Sequence, residues 1–190
     1  LIWLFIKNRE YEMAFLQAIA LDKRLLEGGK RVYDLAETFL DNHYYDLAIK
    51  AYDYILINKD SYYFIDAHVN KLYALGKLEN IDLNELDLLY SKTVDDLGKN
   101  NRTILLLSNY AYFKAFRMHD LLSAEIILDD AMVLPDVSRY DIAECKLIYA
   151  DVMLLSNNIW TSLLYYSQVE KEFKEHPLGH EAKFRKARLW

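Results

Sequence analysis

The sequence predicts an all-α fold, and three observations lead to that prediction. The 190 residues include only 5 Gly and 2 Pro, which is too few for a loop-rich β fold and suits long helices joined by short turns. Several segments place apolar residues at the i, i+3, i+4, i+7 spacing of a buried helical stripe. A pattern of aromatic, small and aliphatic residues also recurs at an interval of 34 residues. The helices are therefore expected in repeated pairs.

The clearest copy of the pattern lies in residues 45–56, where Ala48 precedes Tyr52 by four positions. Thirty-four residues earlier, Ala14 precedes Ala18 in the same way. We term the place of Ala14 and Ala48 the key position of a repeat, and it recurs at residues 14, 48, 86, 124 and 162. The first step is 34 residues and the later steps are 38. Four added residues rotate a helix by about 400°, nearly one revolution, so the buried face is expected to stay in register.

Each repeat is expected to consist of a first helix, a turn and a second helix. The repeats are predicted at approximately residues 1–28, 29–60, 61–99, 100–136 and 137–177, with a sixth beginning in 178–190. In the second repeat, Ala36 of the first helix is expected to touch Ala48 of the second helix. A break at residues 175–179 should precede the sixth first helix, which is expected to begin at His180 and to carry Ala187 at its small contact position.

Capping residues mark several of the predicted helix ends. Gly28 and Gly29 are expected to end a helix as a left-handed cap, and Ser61 to cap the helix that follows it. The segments 82–85 and 138–141 have the form of a capping box, in which a Ser or Asp precedes an acidic residue by three positions.

A helix-turn-helix unit of 34 residues is typical of the tetratricopeptide repeat, and the chain resembles that family over residues 1–190. The most specific pieces are residues 8–14 and the second repeat, whereas Leu86 and Ser162 occupy key positions at which the family prefers Ala. The resemblance implies a right-handed superhelix (solenoid) of about five stacked helix pairs, whose first helices line a concave groove. Residues 165–189 also look similar to long bacterial tetratricopeptide proteins, and we expect a fragment of a longer chain with both ends inside a repeat.

Composition argues against several classes of function. The net charge of -6 provides no general attraction to phosphate backbones, so nucleic acid is not an expected partner. The apolar residues 1–6 are too few to span a bilayer and lack the flanks of a signal peptide, so direct membrane insertion is not expected. Without a targeting segment the chain is expected to be soluble, and cytoplasmic and exported locations both stay open. A single Cys145 excludes an intramolecular disulfide.

No motif for catalysis, a cofactor or a metal is found in the sequence. His176 and His180 are four residues apart, but Pro177 and Gly179 interrupt the helix that a two-His ligand set needs. The glycines stand at predicted helix ends rather than in a phosphate-binding loop, and no nucleophile motif is present. An enzyme is therefore not predicted, and no catalytic, cofactor-binding or metal-binding residue is expected.

The resemblance implies a protein–protein interaction scaffold that holds a peptide or helix of a partner in the groove. Counting from Ala36 places the following residues on the groove side: Lys30, Tyr33, Glu37, Phe64, Lys71, Asn109, Phe113 and Arg117. Rings and charges of both signs suit a peptide with apolar anchors and polar flanks. Alternatively, Phe64 and Phe113 pack between repeats, and the added turns rotate the assignment by a position. The carboxylate clamp of some family members is not supported, because its positions in the second repeat fall on Lys30, Tyr33 and Glu37.

Two other functions stay open at this point. The chain could be a structural spacer or oligomerisation module that uses its lateral surfaces, including self-association through cut ends, or it could enclose a small-ligand pocket. The basic residues Lys183, Arg185, Lys186 and Arg188 are either a solvated face or a surface that docks an acidic partner or the next repeat.

Overall fold

A computed structural model describes residues 1–189 of the chain. All regular structure in that range is helical, with eleven α-helices and no strand, so the all-α prediction is confirmed. The helices are α1 (Ile2–Lys7), α2 (Tyr11–Leu25), α3 (Lys30–Asp41), α4 (Tyr45–Leu56), α5 (Phe64–Gly76), α6 (Leu83–Leu97), α7 (Ile104–Phe116), α8 (Leu121–Met132), α9 (Arg139–Leu155), α10 (Ile159–Glu172) and α11 (Pro177–Ala187).

The helices belong to two compact units. Unit 1 extends from Leu1 to Leu89, and unit 2 begins at Tyr90, so the boundary lies within α6. In unit 1, each of the helices α1 to α4 packs against the helix that follows it. In unit 2, α7 to α10 do the same, and α9 also contacts α7 and α11. Neighbouring helices therefore pack against each other within each unit.

The key positions are buried, as the repeat interval predicts. Their five side chains are all 0% exposed: Ala14, Ala48, Leu86, Ala124 and Ser162. The residues four positions later are buried as well: Ala18, Tyr52, Tyr90, Leu128 and Tyr166. Ala36 is also fully buried and belongs to the same apolar cluster as Ala48. The four-residue insertions thus preserve the buried face of the second helices.

The turns between paired helices repeat as well. Arg9, His43 and Asn157 each take a left-handed backbone conformation at the second residue after their first helix, and His119 does so at the third residue after α7. In three of these turns the next N–H donates to a carbonyl five residues back at 2.8 Å: Glu10 to Phe5, Tyr44 to Phe39 and Asn158 to Met153. A left-handed residue that satisfies the orphan carbonyls at a helix end is the usual way to stop a helix sharply. The third connection, between α5 and α6, contains no such residue.

Two capping predictions are wrong in detail. The left-handed residue that ends α2 is Leu26 (φ 55°), and Gly28 and Gly29 lie in the following loop. Ser61 does not cap α5, because the residue before that helix is Tyr63. The Ser61 hydroxyl donates instead to the carbonyl of Gly28 at 2.8 Å and thereby ties the loop after α4 to the loop after α2.

Two other caps form as the sequence predicts. Ser138 Oγ accepts from the N–H of Asp141 at 3.1 Å and donates to its carboxylate at 2.6 Å, at the start of α9. At the start of α6, Asp82 Oδ1 accepts from the N–H of Asn84 at 2.8 Å. Each acceptor satisfies a backbone donor that has no partner inside the helix.

The last helix differs from its prediction. α11 begins at Pro177 rather than at His180, because proline suits the first helical position, where its missing N–H would have had no partner. Gly179 lies inside this first turn, where a Cβ atom would approach the carbonyl oxygen of Phe173 to 2.0 Å. With this earlier start the buried small residue is Ala182, whereas Ala187 is exposed. The prediction for Ala187 is therefore wrong.

Candidate functional site

In unit 1 a polar network joins three consecutive helices. The Tyr52 hydroxyl on α4 donates to the Glu37 carboxylate on α3. Asn70 on α5 donates to Glu37 Oε1 at 2.8 Å and to the Tyr33 hydroxyl oxygen at 3.2 Å. The Tyr33 ring also stacks on Tyr63, with ring centroids 4.7 Å apart. Burial raises the pKa values of Tyr33 and Tyr52, so both hydroxyls stay protonated and available as donors.

The other predicted site residues of unit 1 lie around this network. Lys30 is exposed and pairs with Asp34 at 2.8 Å, while Lys71 pairs with Asp53 on α4 at 2.6 Å. Phe64 is half-buried. The structure therefore joins Tyr33 to Glu37 through Asn70, and it places the two lysines in ion pairs.

In unit 2 the predicted residues separate by burial. Phe113 is only 4% exposed and stacks on Tyr90 with ring centroids 5.3 Å apart, so it is a core residue and not an exposed ring. Its contact with Tyr90, a residue of the preceding predicted repeat, is of the kind that the alternative describes, in which Phe113 packs between repeats. Asn109 is half-buried, whereas Arg117 follows the last residue of α7 and is exposed.

Unit 2 contains a second network of the same design. The Tyr166 hydroxyl on α10 donates to Asp151 on α9, and these residues are 15 positions apart, as are Tyr52 and Glu37. Arg185 on α11 donates from Nη1 to Asp151 Oδ2 at 2.5 Å and from Nε to Glu181 at 2.7 Å. Burial raises the pKa of Asp151, against the opposing effect of the hydrogen bonds from Tyr166 and Arg185. Asp151 is thus a structural acceptor with a positive neighbour.

A cleft of about 340 Å³ opens beside this network, and we name it the first-helix cleft. Every residue that lines it belongs to α7, α9 or α11, or directly follows α11: Phe116, Asp151, Leu154, Leu155, Glu181, Phe184, Arg185 and Arg188. Leu155 and Phe184 are apolar yet 53% and 58% exposed. The guanidinium of Arg188 lies 5.8 Å from the centre of the Phe184 ring, within the range of a cation–π contact. The cleft therefore combines accessible apolar surface with charged groups.

A second cleft, of about 270 Å³, lies in unit 1 between α2, α4 and the loop that follows α2. Its lining includes Asp22, which is only 6% exposed. Asp22 accepts hydrogen bonds from the N–H of Gly29 at 2.9 Å and from the Tyr54 hydroxyl at 3.3 Å. These bonds hold the loop against α4, so the carboxylate already has a structural role.

None of the residues that line the first-helix cleft was predicted as a groove residue. Two signals in the sequence point to it. Asp151 precedes Tyr166 by the same 15 positions as Glu37 precedes Tyr52, so carrying the predicted position of Glu37 into the fifth repeat finds it. Phe116 lies three residues after Phe113, nearly one helical turn further along α7. The basic segment around Arg188 was noted for its charge but not assigned to a groove.

Other reactive groups do not form a site in the part of the chain that the structure describes. Within residues 1–189, no cluster of three or more His, Cys, Asp or Glu side chains is arranged to hold a metal ion. Burial raises the pKa of the Cys145 thiol to about 12, which keeps it protonated at neutral pH. None of the helices between residues 1 and 189 is long and apolar enough to cross a membrane.

Comparison with known proteins adds no assignment. No protein-family model matches the chain, and no curated protein matches it significantly.

Proposed function

We propose that this chain is a non-enzymatic protein–protein interaction scaffold, which holds a peptide or helix of a partner protein against its first helices. The observation that carries the proposal is the first-helix cleft, because every lining residue within residues 1–189 comes from α7, α9, α11 or the position after α11. A tetratricopeptide-like superhelix of stacked helix pairs is part of the same proposal. The recurring burial at the key positions and the recurring left-handed turn residues support it.

The chemistry of the cleft suits a polypeptide ligand. Leu155 and Phe184 leave more than half of their surface exposed. Covering such apolar side chains with a partner removes them from water and makes the free energy of binding more favourable. The volume of about 340 Å³ lies at the small end of ligand pockets, so it fits one or two side chains of a longer segment. The flanking charges would orient that segment. Among the residues predicted from sequence, Arg117 remains a candidate contact for the rest of the ligand in unit 2, and Tyr33 remains a separate candidate in unit 1.

The proposal can be tested with peptides selected from a random display library on the purified chain. The selected peptides are then synthesised with a fluorophore, and their Kd values are measured by fluorescence anisotropy. Phe184→Ser should weaken binding about tenfold, the effect of losing one central apolar anchor. The matched control is Trp160→Ser on α10, which removes a side chain that is 80% exposed on a second helix. Tyr33→Ala and Arg117→Ala extend the test to the predicted residues.

For Trp160→Ser the Kd should stay within about twofold of the parent value, since exposed positions outside an interface contribute little. Circular dichroism of each variant verifies that the fold is retained. A library that yields no binder, or binders that respond to Trp160→Ser and not to Phe184→Ser, would overturn the proposal.

A second candidate function, assembly through the outer surface, is favoured by a separate observation. On α8 and α10 the residues two positions before and after the key position are apolar and exposed: Leu122, Ile126, Trp160 and Leu164. Exposed apolar patches often mark surfaces that associate with another protein. Sedimentation velocity over a range of concentrations distinguishes the two functions. If assembly is the function, the parent chain should self-associate and the double variant Leu122→Ser, Trp160→Ser should be monomeric.

A further inference from the structure

The charges of the first-helix cleft are not equivalent. Its two carboxylates, Asp151 and Glu181, both accept hydrogen bonds from the single guanidinium of Arg185, and Asp151 also accepts one from the Tyr166 hydroxyl. Arg188 lines the same cleft, but within residues 1–189 its guanidinium forms no ion pair, and it lies 5.8 Å from the centre of the Phe184 ring. The two carboxylates and the two guanidiniums of the lining sum to no net charge. Both carboxylates are bonded to Arg185, so the ionic group without an ion pair is the guanidinium of Arg188, which lies beside the exposed apolar wall.

The surroundings of the cleft add positive charge. α11 and the residue that follows it carry four basic side chains, Lys183, Arg185, Lys186 and Arg188, against the single acid Glu181. Lys186 is neutralised by an ion pair with Glu170 on α10, and Arg185 by its two carboxylates. Within residues 1–189, Lys183 and Arg188 are the cations of this element that form no ion pair. A ligand that lies along α11 thus meets net positive charge.

We propose that the ligand of the first-helix cleft is an internal acidic–apolar peptide segment, in which an apolar side chain covers Phe184 and a neighbouring Asp or Glu pairs with Arg188. This inference rests on the proposed function and names the class of its ligand. The guanidinium of Arg188 lies 5.8 Å from the centre of the Phe184 ring, and a guanidinium is a planar fork of donors that matches a carboxylate in two-point contact. Because the ring and the cation lie together, one short segment can engage both.

The test uses dodecapeptides that are acetylated and amidated at their ends, so that no terminal carboxylate contributes. Starting from the selected binder with the lowest Kd for the parent chain, three versions keep the apolar anchors and carry Glu, Ser or Lys at the flanking positions. Anisotropy titrations at about 150 mM salt restrict charge effects to close contacts. Binding should be tightest for the Glu version and weakest for the Lys version. One carboxylate contact should separate the Glu and Ser versions by about three- to fivefold.

Variants of Arg188 then assign the preference to one residue. Arg188→Gln should remove the difference between the Glu and Ser peptides and leave the Kd of the Ser peptide unchanged. Arg188→Glu should reverse the order, so that the Lys peptide binds most tightly. Lys183→Gln is the matched control, because it removes an exposed cation from the same helix, outside the cleft lining, and should leave the order unchanged.

The outcomes separate this inference from the proposed function. Equal Kd values for the three peptides, a preference for Lys, or a Glu preference that persists in Arg188→Gln would overturn the acidic-ligand inference, while the scaffold function stands. A library that yields no binder sensitive to Phe184→Ser would overturn both.

Discussion

Units 1 and 2 build the same contact and complete it with different chemistry. In each, a tyrosine of a second helix donates to a carboxylate 15 residues earlier on the first helix of the pair. Glu37 receives a further hydrogen bond from the neutral amide of Asn70, whereas Asp151 receives it from the guanidinium of Arg185. The second and fifth repeats thus share the tyrosine–carboxylate pair, and the donor from the next first helix is uncharged in one and cationic in the other.

This difference extends to what each unit exposes. In unit 1 the network ends at Tyr33, whose ring is covered by Tyr63. In unit 2 the network ends at a guanidinium that lines an open cleft beside Phe184. Because the tyrosine–carboxylate contact is shared, the difference between the units lies in the third residue, Asn70 in unit 1 and Arg185 in unit 2. Four predictions test this comparison, from the largest expected effect to the smallest.

Replacing the second donor to the carboxylate should lower the free energy of unfolding more in unit 2, where the donor is Arg185, than in unit 1, where it is Asn70. Arg185→Leu leaves Asp151 partly buried with only the Tyr166 hydroxyl, and it should lower the free energy of unfolding by about 2–3 kcal/mol, less than for a fully buried pair because both side chains are partly exposed. Asn70→Leu removes neutral hydrogen bonds and should cost about 1–1.5 kcal/mol. Urea denaturation followed by circular dichroism measures both values. Equal costs would show that the two donors are interchangeable.

The key position of the second repeat, Ala48, should tolerate no larger side chain. Ala48 is fully buried in the same cluster as Ala36, so Ala48→Leu should overpack the helix contact and cost about 2 kcal/mol. Lys50→Leu is the matched control, because this exposed residue two positions later has only an exposed ion pair with Glu12 to lose, and its effect should stay within about 0.5 kcal/mol. Thermal unfolding of both variants and of the parent chain measures the two losses of stability. Unchanged stability of Ala48→Leu would contradict the repeat register.

The fold should become more stable when the key position of the fifth repeat, Ser162, is changed to the alanine found at the key position of the second repeat. Ser162 is fully buried, and its hydroxyl has no hydrogen-bond partner in the described chain. Ser162→Ala should therefore raise the free energy of unfolding by about 1 kcal/mol, since it removes a desolvated polar group. The reciprocal change Ala48→Ser should lower it by a similar amount. If Ser162→Ala is destabilising instead, the hydroxyl makes a contact that matters and the two positions are not equivalent.

The smallest effect concerns Asp120, the residue that precedes α8, the second helix of the fourth repeat. Asp120 caps α8 by accepting from the N–H of Ser123 at 3.1 Å, whereas Tyr44 at the matching place in unit 1 provides no side-chain cap. Hydrogen bonds from Ser123 hold the pKa of Asp120 below its ordinary value, so its charge stabilises the fold above the unfolded-state pKa. Relative to Asp120→Asn, the parent should be more stable by about 0.5 kcal/mol at pH 7.

That advantage should disappear as the pH falls through the lowered pKa of Asp120, because the protonated carboxyl no longer favours the helix N-terminus. Urea denaturation of the parent and of Asp120→Asn at a series of pH values measures the difference. A difference that grows on acidification would contradict the assigned role of the charge.

The sequence predicted the parts of the fold that depend on local periodicity. Burial at Ala14, Ala48 and Ser162 follows from the interval alone, because added turns of four residues keep one helix face inward. The start of α11 was misplaced because Pro177 has two opposite meanings: it breaks a helix from within and begins one at the first position. Local sequence does not separate these cases.

The candidate site was less accessible to sequence reasoning. Phe113 and Phe116 lie on the same short helix, and a rotation of one position decides which ring is buried. Because α7 packs against both α8 and α9, its apolar residues do not form one narrow stripe that would identify the buried face. The cleft also needs side chains from α7, α9 and α11 at once, so their contacts depend on how the helices cross rather than on spacing. The composition of the basic segment was visible, but the ion pairs that neutralise Arg185 and Lys186 were not.

The central claim, that a partner peptide binds to the first helices of unit 2, is tested most directly by nuclear magnetic resonance. Amide signals of the isotope-labelled chain are recorded while the selected peptide is added. We expect the largest shifts at the end of α9 near Leu155 and in α11 near Phe184, with small shifts throughout α8 and α10. Shifts concentrated around Leu122 and Trp160 on those two second helices, with α9 and α11 unaffected, would contradict the account and place recognition on the outer surface.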